Sequence, residues 1–231
     1  MSLRTRFLSG PRRCLFALAA PKEARAVTQA FELPDAPEFR LTPISDAFDI
    51  VLTGVGKASA AATVARVLDP ARHACVISLG IAGALPESKL PLLSRITSRT
   101  SVFADEGAQT PEGFRSIGAM GFPAFPNGDL AHADPRLLEC LDTPIVSAIA
   151  TVSTCSGTDA SATEIAHRTG AAAEAMEGAA VGLVAFRHNV AFAEVRVISN
   201  TTGDRSRQVW ALEESLAELG KFVREHHDRA T

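Results

Sequence analysis

Short apolar segments recur along the chain and alternate with longer segments of helical periodicity. Five of the apolar segments are typical of strands covered on both faces, because they are rich in Val, Ile and Leu and seldom alternate with polar residues: 14–20, 48–53, 75–80, 145–152 and 191–199. Ala-rich helical patterns lie at 57–68, 161–169, 177–188 and 209–227, and a further one follows Pro21. This alternation predicts an α/β fold with a parallel or mostly parallel sheet between two layers of helices.

Several predicted strands end in a glycine or a polar residue just before a loop, where α/β proteins place their ligands. Segment 107–134 differs from the rest, since it is rich in Pro and Gly and has weak periodicity. A loop of this length in a compact domain is more often functional than idle. We therefore expect it to cover the substrate or to lie at a subunit interface, with a plain surface excursion as the alternative.

The N-terminal segment has two interpretations. Residues 1–13 are basic and precede the apolar string CLFALAA, an arrangement that superficially resembles a signal peptide. That apolar string is at the lower limit for a signal peptide and equally suits a buried first strand. We favour a disordered leader over residues 1–12, followed by one domain over 13–231.

Composition excludes several classes of protein. The 231 residues are 46% hydrophobic and 21% charged, with a formal net charge of −3, which argues against a disordered chain or a nucleic-acid coat. No apolar run approaches the ~18 residues that span a bilayer. The four cysteines lack metal-site or redox spacing, so we expect reduced core residues in a cytoplasmic protein. Because no His/Cys/Asp cluster has ligand spacing, we expect neither a metal nor a cofactor.

Two glycine-rich segments follow predicted strands. The first, LTGVGKASA at 52–60, lacks the glycine spacing of both the phosphate-binding loop and the dinucleotide fingerprint. It predicts a strand, a turn and a helix whose N-terminus either accepts a polar ligand or is an ordinary connection. The second, SLGIAGAL, has Gly80 and Gly83, which leave room for a ligand to approach the backbone. Together the two segments indicate a single pocket.

Charged and amide side chains in the second half carry more specific information. Glu177, in AMEGAAV, either complements the dipole at a helix start or reaches paired sugar hydroxyls. Arg196 lies in an otherwise apolar strand, where an unpaired charge is costly, so it must face a partner or a pocket. Asn200, at the end of that strand, can hydrogen-bond the edge of a heterocycle. Glu23, in AAPKEA, would by itself be a solvated residue of a first helical turn.

These segments together resemble the purine nucleoside phosphorylase/nucleosidase superfamily over nearly the whole chain. The resemblance is carried by AAPKE, TGVGKASAA, SLGIAGAL, ADEG, TPEGF, TCSGTD, AMEGAAV and VRVISN. Within the superfamily, the DEG and TPEGF loop, Asn200 and the GDRSRQVW tail are most similar to the futalosine hydrolases, which release hypoxanthine from futalosine in a menaquinone pathway. The resemblance implies a central mixed sheet wrapped by helices, a homo-oligomer and a small nucleoside substrate, with no nucleic-acid or membrane partner.

The resemblance also implies roles for individual residues. Glu23, helped by Arg196, corresponds to the general base that activates water in the nucleosidases. Glu177 corresponds to the acid that binds the ribose hydroxyls, and Met176 packs under the sugar. Asn200 stands where the adenine-specific nucleosidases carry an Asp that protonates the base. The expected pocket walls are the SLGIAGAL backbone, the 154–158 segment and the end of the last strand, namely Gly80, Ile81, Ala82, Ser156, Thr158 and Ser199.

Two departures from the superfamily pattern bear on the reaction. An amide at Asn200 cannot supply a proton but can hydrogen-bond N7 and O6 of an oxopurine, which favours hypoxanthine over adenine. Asp204 is the nearest alternative acid. Ser78 and Ile81 stand where bacterial phosphorylases hold phosphate, and neither provides the charge-assisted donors that a phosphate dianion needs. Water is therefore the expected nucleophile.

Three other functions stay open at this point. A methylthioadenosine/adenosylhomocysteine nucleosidase and a purine nucleoside phosphorylase are the alternatives on the same fold. A non-catalytic nucleoside-binding protein is an alternative of a different class. The joint presence of Glu23, Arg196 and Glu177 argues against mere binding, because binding alone does not require a pair that activates water.

Overall fold

A computed structural model of the chain describes residues 3, 12–126, 128–141 and 143–229. Apart from residues 3 and 12, the leader predicted at 1–12 lies outside the described residues, so the domain boundary stays a prediction. The strands are β1 Arg13–Leu18, β2 Leu41–Pro43, β3 Phe48–Leu52, β4 His73–Ala84, β5 Arg95–Phe103, β6 Gly107–Thr110, β7 Gly113–Ser116, β8 Leu130–His132, β9 Ile145–Thr151, β10 Ala173–Ala175 and β11 Ala191–Thr201. The helices are α1 Pro21–Ala30, α2 Lys57–Val67, α3 Pro135–Leu141, α4 Asp159–Thr169, α5 Gly178–Arg187 and α6 Leu212–Asp228.

The central sheet is mixed. Its strands follow the order β10-β9-β5-β11-β4-β1-β3-β2, with β8 paired to β5. Strands β3, β1, β4 and β11 are parallel, whereas β5 is antiparallel to β11 and parallel to β9. Strand β10 pairs with β9 and also with the end of β4, which closes β4, β11, β5, β9 and β10 into a ring. The predicted α/β fold with a mixed sheet is confirmed.

Burial on both faces explains the unbroken apolar strings. In β1, Phe16 and Leu18 face a core that includes residues of α1 and α6. Leu15 and Ala17 face the opposite core, which includes residues of α2 and α5. Since both faces of the strand are covered by helices, every position needs an apolar side chain and no alternation appears. The five predicted strands are confirmed, with shifts at their ends.

Strand β5 escaped sequence analysis because its residues are largely polar. Thr97, Ser98 and Ser101 of this strand are buried, and their hydroxyls form hydrogen bonds with one another or with neighbouring side chains. The hydroxyls of Ser98 and Ser101 lie 3.0 Å apart, and Thr97 bonds Thr143. Hydrogen bonds made across the fold allow a polar segment to form a buried strand.

Three further expectations need correction. Strand β4 continues past its predicted end at Gly80 to Ala84, so Gly83 lies within the strand rather than in a turn after it. Segment 107–134 is not one irregular loop, because β6 and β7 form a hairpin in it and β8 joins the main sheet. The four cysteines are free as expected, but Cys155 is exposed rather than in the core. None of the described helices combines the length and apolar character that crossing a membrane requires.

A cluster of charged side chains around the buried Asp49 lies where strands β1, β3 and β4 begin. Asp49, on β3, is fully buried and lies 2.9 Å from Arg13 Nε, 2.7 Å from Arg72 Nε and 3.1 Å from His73 Nε2. Burial alone would raise the pKa of Asp49. Hydrogen bonds from His73 and Arg72 and the charge of Arg13 outweigh that effect and lower it to about 2. The ionised carboxylate therefore stabilises the fold.

We expect Asp49→Asn to lower the free energy of unfolding at pH 7 by roughly 2 kcal/mol, because the partly buried guanidinium groups of Arg13 and Arg72 lose the buried carboxylate that pairs with both. The deficit should shrink as the pH falls from about 4, near the pKa of an unfolded Asp, toward about 2. Urea unfolding at several pH values measures both effects. Asp35→Asn is the matched control, since Asp35 pairs with Arg25 on the surface and its loss should leave the free energy of unfolding nearly unchanged. Equal losses for the two variants would contradict the stabilising role of the cluster.

Candidate active site

A cavity of about 300 Å³ opens where the parallel strands β1, β3, β4 and β11 end. Loops that follow these carboxyl ends supply much of its wall, as expected for an α/β protein. Nine of the eleven predicted site residues line the cavity: Glu23, Ile81, Ala82, Ser156, Met176, Glu177, Arg196, Ser199 and Asn200. The fold thus brings together residues that lie up to 177 positions apart in the chain.

Glu23 is buried and held by the backbone, contrary to what its position in a first helical turn suggests. Its Oε2 accepts hydrogen bonds from the amides of Ala19 and Ala20, at 3.1 and 2.9 Å. Its Oε1 accepts one from Ile81 N, at 2.9 Å. Burial raises the pKa of Glu23, and the neighbouring Arg196 only partly offsets this effect. The result is a fixed carboxylate that is more basic than one in water.

Arg196 has the partners that its place in an apolar strand requires. Its Nε donates to Glu194 at 2.8 Å, and its Nη2 lies 3.0 Å from Ser78 Oγ and 3.3 Å from Glu177 Oε2. Burial disfavours its charged form, but the carboxylates of Glu194, Glu177 and Glu23 outweigh this and raise the pKa of Arg196. Arg196 is therefore a permanent cation among three carboxylates.

Glu194 is a positioning residue that sequence analysis missed. It is fully buried, and it holds Arg196 through one oxygen and Ser101 Oγ through the other. A Cβ at Gly178 would overlap the Glu194 carboxylate, so the glycine makes room for this ion pair. The available signal was two opposite charges two residues apart in an apolar strand, which places both on one face.

Glu177 immediately precedes α5, and its side chain lines the cavity. Its Oε1 accepts a hydrogen bond at 3.0 Å from the amide of Gly56, in the glycine-rich turn before α2. Its Oε2 accepts the hydrogen bond from Arg196. The turn of the LTGVGKASA segment thus orients an acid of the site.

A β-bulge orients Asn200. The pairing of β11 with β4 shifts between Ile198 and Asn200, and this shift sets Asn200 opposite Gly83. Bulges near functional sites commonly redirect a side chain. Asn200 Oδ1 accepts a hydrogen bond from Ser199 Oγ at 2.9 Å, and its Nδ2 donates to the carbonyl of Thr201 at 2.8 Å. The amide is therefore fixed in the cavity wall.

Three predicted positions differ from expectation. Thr158 does not line the cavity, because its hydroxyl caps α4 by accepting a hydrogen bond from Ser161 N. Gly80 lies behind the lining, where a Cβ would collide with both Arg196 and Glu23. Asp204 is also outside the cavity wall, and its carboxylate binds Ser206 and Arg207.

The cavity also contains four polar or aromatic residues that the sequence did not single out: Glu174, Arg205, Gln208 and Trp210. Glu174 had a recognisable signal, since it is a charge within the small-residue string AAAEAMEG. Among the described residues, no group of three or more His, Cys, Asp or Glu side chains is arranged to hold a metal ion.

Comparison with known proteins identifies the family of the chain. The family model of the phosphorylase superfamily matches residues 49–229. The chain belongs to the phosphorylase superfamily. This chain is 36% identical to a futalosine hydrolase of Streptomyces coelicolor over 224 residues, which are 90% of this chain and 92% of the relative. The resemblance seen in the sequence is thereby confirmed.

Solved structures of other superfamily members share the fold. The Helicobacter pylori 5′-methylthioadenosine/S-adenosyl homocysteine nucleosidase matches with a TM-score of 0.76 and 16% identity, covering 96% of this chain and 100% of its own. A mutant futalosine hydrolase of Helicobacter pylori strain 26695 matches with a TM-score of 0.74 and 17% identity, covering 94% and 99%. At these identities the two structures establish the fold of this chain but not its substrate.

Proposed function

We propose that the protein is a futalosine hydrolase, an N-glycosidic hydrolase that converts futalosine and water into hypoxanthine and dehypoxanthine futalosine for menaquinone biosynthesis. The observation that carries the proposal is one cavity in which Glu23, fixed by three backbone amides, lies with Glu177 and Arg196. The 36% identity to the Streptomyces coelicolor enzyme supports the substrate.

Glu23 is the general base of the proposed reaction. The water oxygen forms a bond to the anomeric carbon, and its proton passes to the Glu23 carboxylate. The bond between the anomeric carbon and N9 breaks, and its electron pair leaves with the base as an anion. The anion takes up a proton from solvent to become hypoxanthine, and Glu23 returns its proton to solvent. The burial that raises the pKa of Glu23 makes this carboxylate a better proton acceptor.

Glu177 and its neighbours assist the departure of the base. Glu177 binds the ribose hydroxyls, and Met176 packs beneath the sugar. The negative charge of Glu177 and Glu23 stabilises the positive charge that develops on the ribose as the bond to the base lengthens. Arg196 holds Glu177 by its hydrogen bond at 3.3 Å, which keeps this charge in place without neutralising the whole cluster.

Asn200 supports hypoxanthine as the leaving base. Its amide can donate a hydrogen bond to N7 or O6 as negative charge develops on the departing oxopurine, but it cannot transfer a proton. Asp204, the alternative acid, is occupied by Ser206 and Arg207 outside the cavity wall. An adenine-releasing nucleosidase would need a proton donor where this chain has Asn200.

Two contacts support water rather than phosphate as the nucleophile. The amide of Ile81 donates to Glu23, and the hydroxyl of Ser78 is bonded to Arg196. The Ile81 amide is therefore not free for a phosphate dianion. The Ser78 hydroxyl accepts the hydrogen bond from Arg196 and lies outside the cavity wall, and a dianion would also face the carboxylates of Glu23 and Glu177.

Purified protein mixed with futalosine should release hypoxanthine at the same rate with and without phosphate, as measured by chromatography of the base. The expected independence follows from water as the nucleophile. Methylthioadenosine serves as the comparison substrate, and it should give adenine at a rate at least roughly 100-fold lower. Turnover that requires phosphate would identify a phosphorylase, and faster release of adenine would identify the alternative nucleosidase.

The surroundings of the site complete the proposal. The described residues of segment 107–134 contribute nothing to the cavity wall within the chain, so the substrate-covering role expected of this segment would be played from a neighbouring subunit of a homo-oligomer. Exposed Met120 and Phe122 in this segment support such an interface. Within one subunit, Val55, Arg205 and Trp210 line the cavity, and we assign them to the group attached at the 5′ end of the sugar. The free cysteines support a cytoplasmic location.

A further inference from the structure

Glu174 is a buried carboxylate of the cavity for which the proposed mechanism has no use. It lies on β10, is 5% exposed and lines the same cavity as Glu23 and Glu177. Its hydrogen bonds come from one residue, since Ser156 N donates to Oε1 at 2.8 Å and Ser156 Oγ donates to Oε2 at 2.6 Å. A carboxylate has about four acceptor sites, so Glu174 keeps acceptor capacity toward the cavity.

The strand register places Glu174 opposite Asn200 across a gap. Gly83 on β4 pairs with Glu174 of β10 on one side and with Asn200 of β11 on the other. Residues paired across neighbouring strands project to the same face, and two strand spacings separate the outer pair by roughly 10 Å. Gly83 lines the cavity between the two, and a Cβ on it would lie 2.7 Å from Thr202 Cγ2 and 3.1 Å from the Asn200 amide, so only glycine allows the Asn200 side chain to lie against this part of the wall.

This gap has the polarity of one edge of a 6-oxopurine. The base carries two acceptors, N7 and O6, followed by the donor N1–H, which is its only N–H while N9 is bonded to the sugar. Asn200 is the donor at one end of the gap, and Glu174 is the acceptor at the other. Adenine would instead direct the lone pair of N1 at a carboxylate, which is repulsive.

A second acceptor lies at the Glu174 end. Gln208 Nε2 donates to the carbonyls of Ser156 and Gly203, at 3.3 and 3.1 Å, which orients its amide. Gln208 Oε1 is left buried without a hydrogen-bond partner. Burial raises the pKa of Glu174, and Ser156 is the group that counteracts it. An incoming N–H donor would satisfy acceptors at this end of the cavity.

We propose that Glu174 accepts a hydrogen bond from N1–H of the leaving base and so selects 6-oxopurine over 6-aminopurine nucleosides. The proposal rests on the proposed hydrolysis of futalosine and adds to it a residue that determines base specificity. Glu174 contacts the base in this arrangement and takes no part in activating water.

The decisive variant is Glu174→Gln, which preserves size and can still accept the hydrogen bond from Ser156 N. We compare kcat/KM for futalosine with that for its 6-amino counterpart, which differs only at the base. Loss of the charge-assisted bond to N1–H should lower kcat/KM for futalosine by roughly 10- to 100-fold. The new amide can donate to N1 of the 6-amino base, so the preference for the 6-oxo substrate should fall by at least about tenfold.

Ser156→Ala is the matched control, because it removes a hydrogen bond to Glu174 and keeps the carboxylate. If Glu174 merely held the 154–158 segment, both variants would lower kcat/KM for the two substrates by the same factor. If the wild type hydrolyses futalosine and Glu174→Gln keeps the same preference for the 6-oxo substrate, the role of Glu174 is overturned while the proposed function stands.

Binding of the free bases separates this inference from the proposed reaction. Trp210 is the single tryptophan of the chain and lines the cavity, so its fluorescence reports binding. The wild-type protein should bind hypoxanthine at least about tenfold more tightly than adenine, and Glu174→Gln should lose this difference. If the wild type releases no hypoxanthine from futalosine, the proposed function fails. In that case, a wild type that binds hypoxanthine more tightly than adenine, with no such difference in Glu174→Gln, would still support Glu174 as the selecting group. Equal affinity of the wild type for both bases would overturn this role.

Discussion

Glu23→Gln is expected to lower kcat on futalosine by roughly 10²- to 10⁴-fold, the usual contribution of a general base. The amide retains the size of the carboxylate but cannot take a proton from water. The base and the sugar are held by other residues, so binding should persist. Stopped assays of released hypoxanthine measure kcat, and Trp210 fluorescence measures binding of the free base.

Glu213→Gln is the matched control for this variant. Glu213 makes a surface ion pair with Lys22, next to Glu23 in the sequence, and its loss should leave kcat within about twofold of the wild type. In the wild type, activity should also decline as the pH falls through the raised pKa of Glu23, because the protonated acid cannot accept a proton. Full activity of Glu23→Gln would remove Glu23 from the mechanism, and loss of turnover together with loss of base binding would indicate a damaged site instead.

Arg196→Met is expected to lower the free energy of unfolding by about 3–5 kcal/mol and to abolish measurable turnover. The substitution leaves Glu194, which is fully buried, and Glu177 without the cation that pairs with both. The freed carboxylates must either take up protons or move apart, and either change disturbs the ribose site. Urea unfolding and the hypoxanthine assay measure the two losses.

The double variant Arg196→Met/Glu194→Leu distinguishes the structural from the functional part of this loss. Replacing both members of a buried ion pair with apolar residues is often neutral or stabilising, so the double variant should regain most of the lost stability. Turnover should stay lost, because Glu177 keeps the hydrogen bond from Gly56 N but still lacks the one from Arg196 that holds its second oxygen. A double variant that recovers activity along with stability would show that Arg196 serves folding only.

Local pattern was sufficient for much of the fold. The string CLFALAA predicted β1 because a strand between two helical layers needs apolar side chains at every position. The same reasoning failed for β5, whose buried Ser101 is satisfied by Glu194, 93 residues away in the chain. It also ended β4 at Gly80, because glycine usually marks a turn, whereas here the strand continues to Ala84.

The sequence predicted most residues of the candidate site but few of the contacts between them. Arg196 had to be paired, because an isolated charge in an apolar strand is too costly. The structure identifies its partners as Glu194 and Glu177. Glu23, judged from its neighbours alone, would be a solvated residue. In the fold it is buried, and one of its carboxylate oxygens accepts a hydrogen bond from the Ile81 amide, 58 residues away in the chain.

The sequence by itself determined the α/β class, the positions of the main strands and the need of Arg196 for a partner, because these follow from burial and charge along short stretches of chain. Glu23 was assigned to the site through the resemblance to the superfamily, and Glu174 and Glu194 were missed. The tertiary structure alone decided which groups meet. The register of β10, β4 and β11 sets Glu174 and Asn200 on either side of Gly83, and the amide of Gly56 reaches Glu177 across 121 positions. Such contacts depend on the alignment of distant strands, which the local order of residues does not specify.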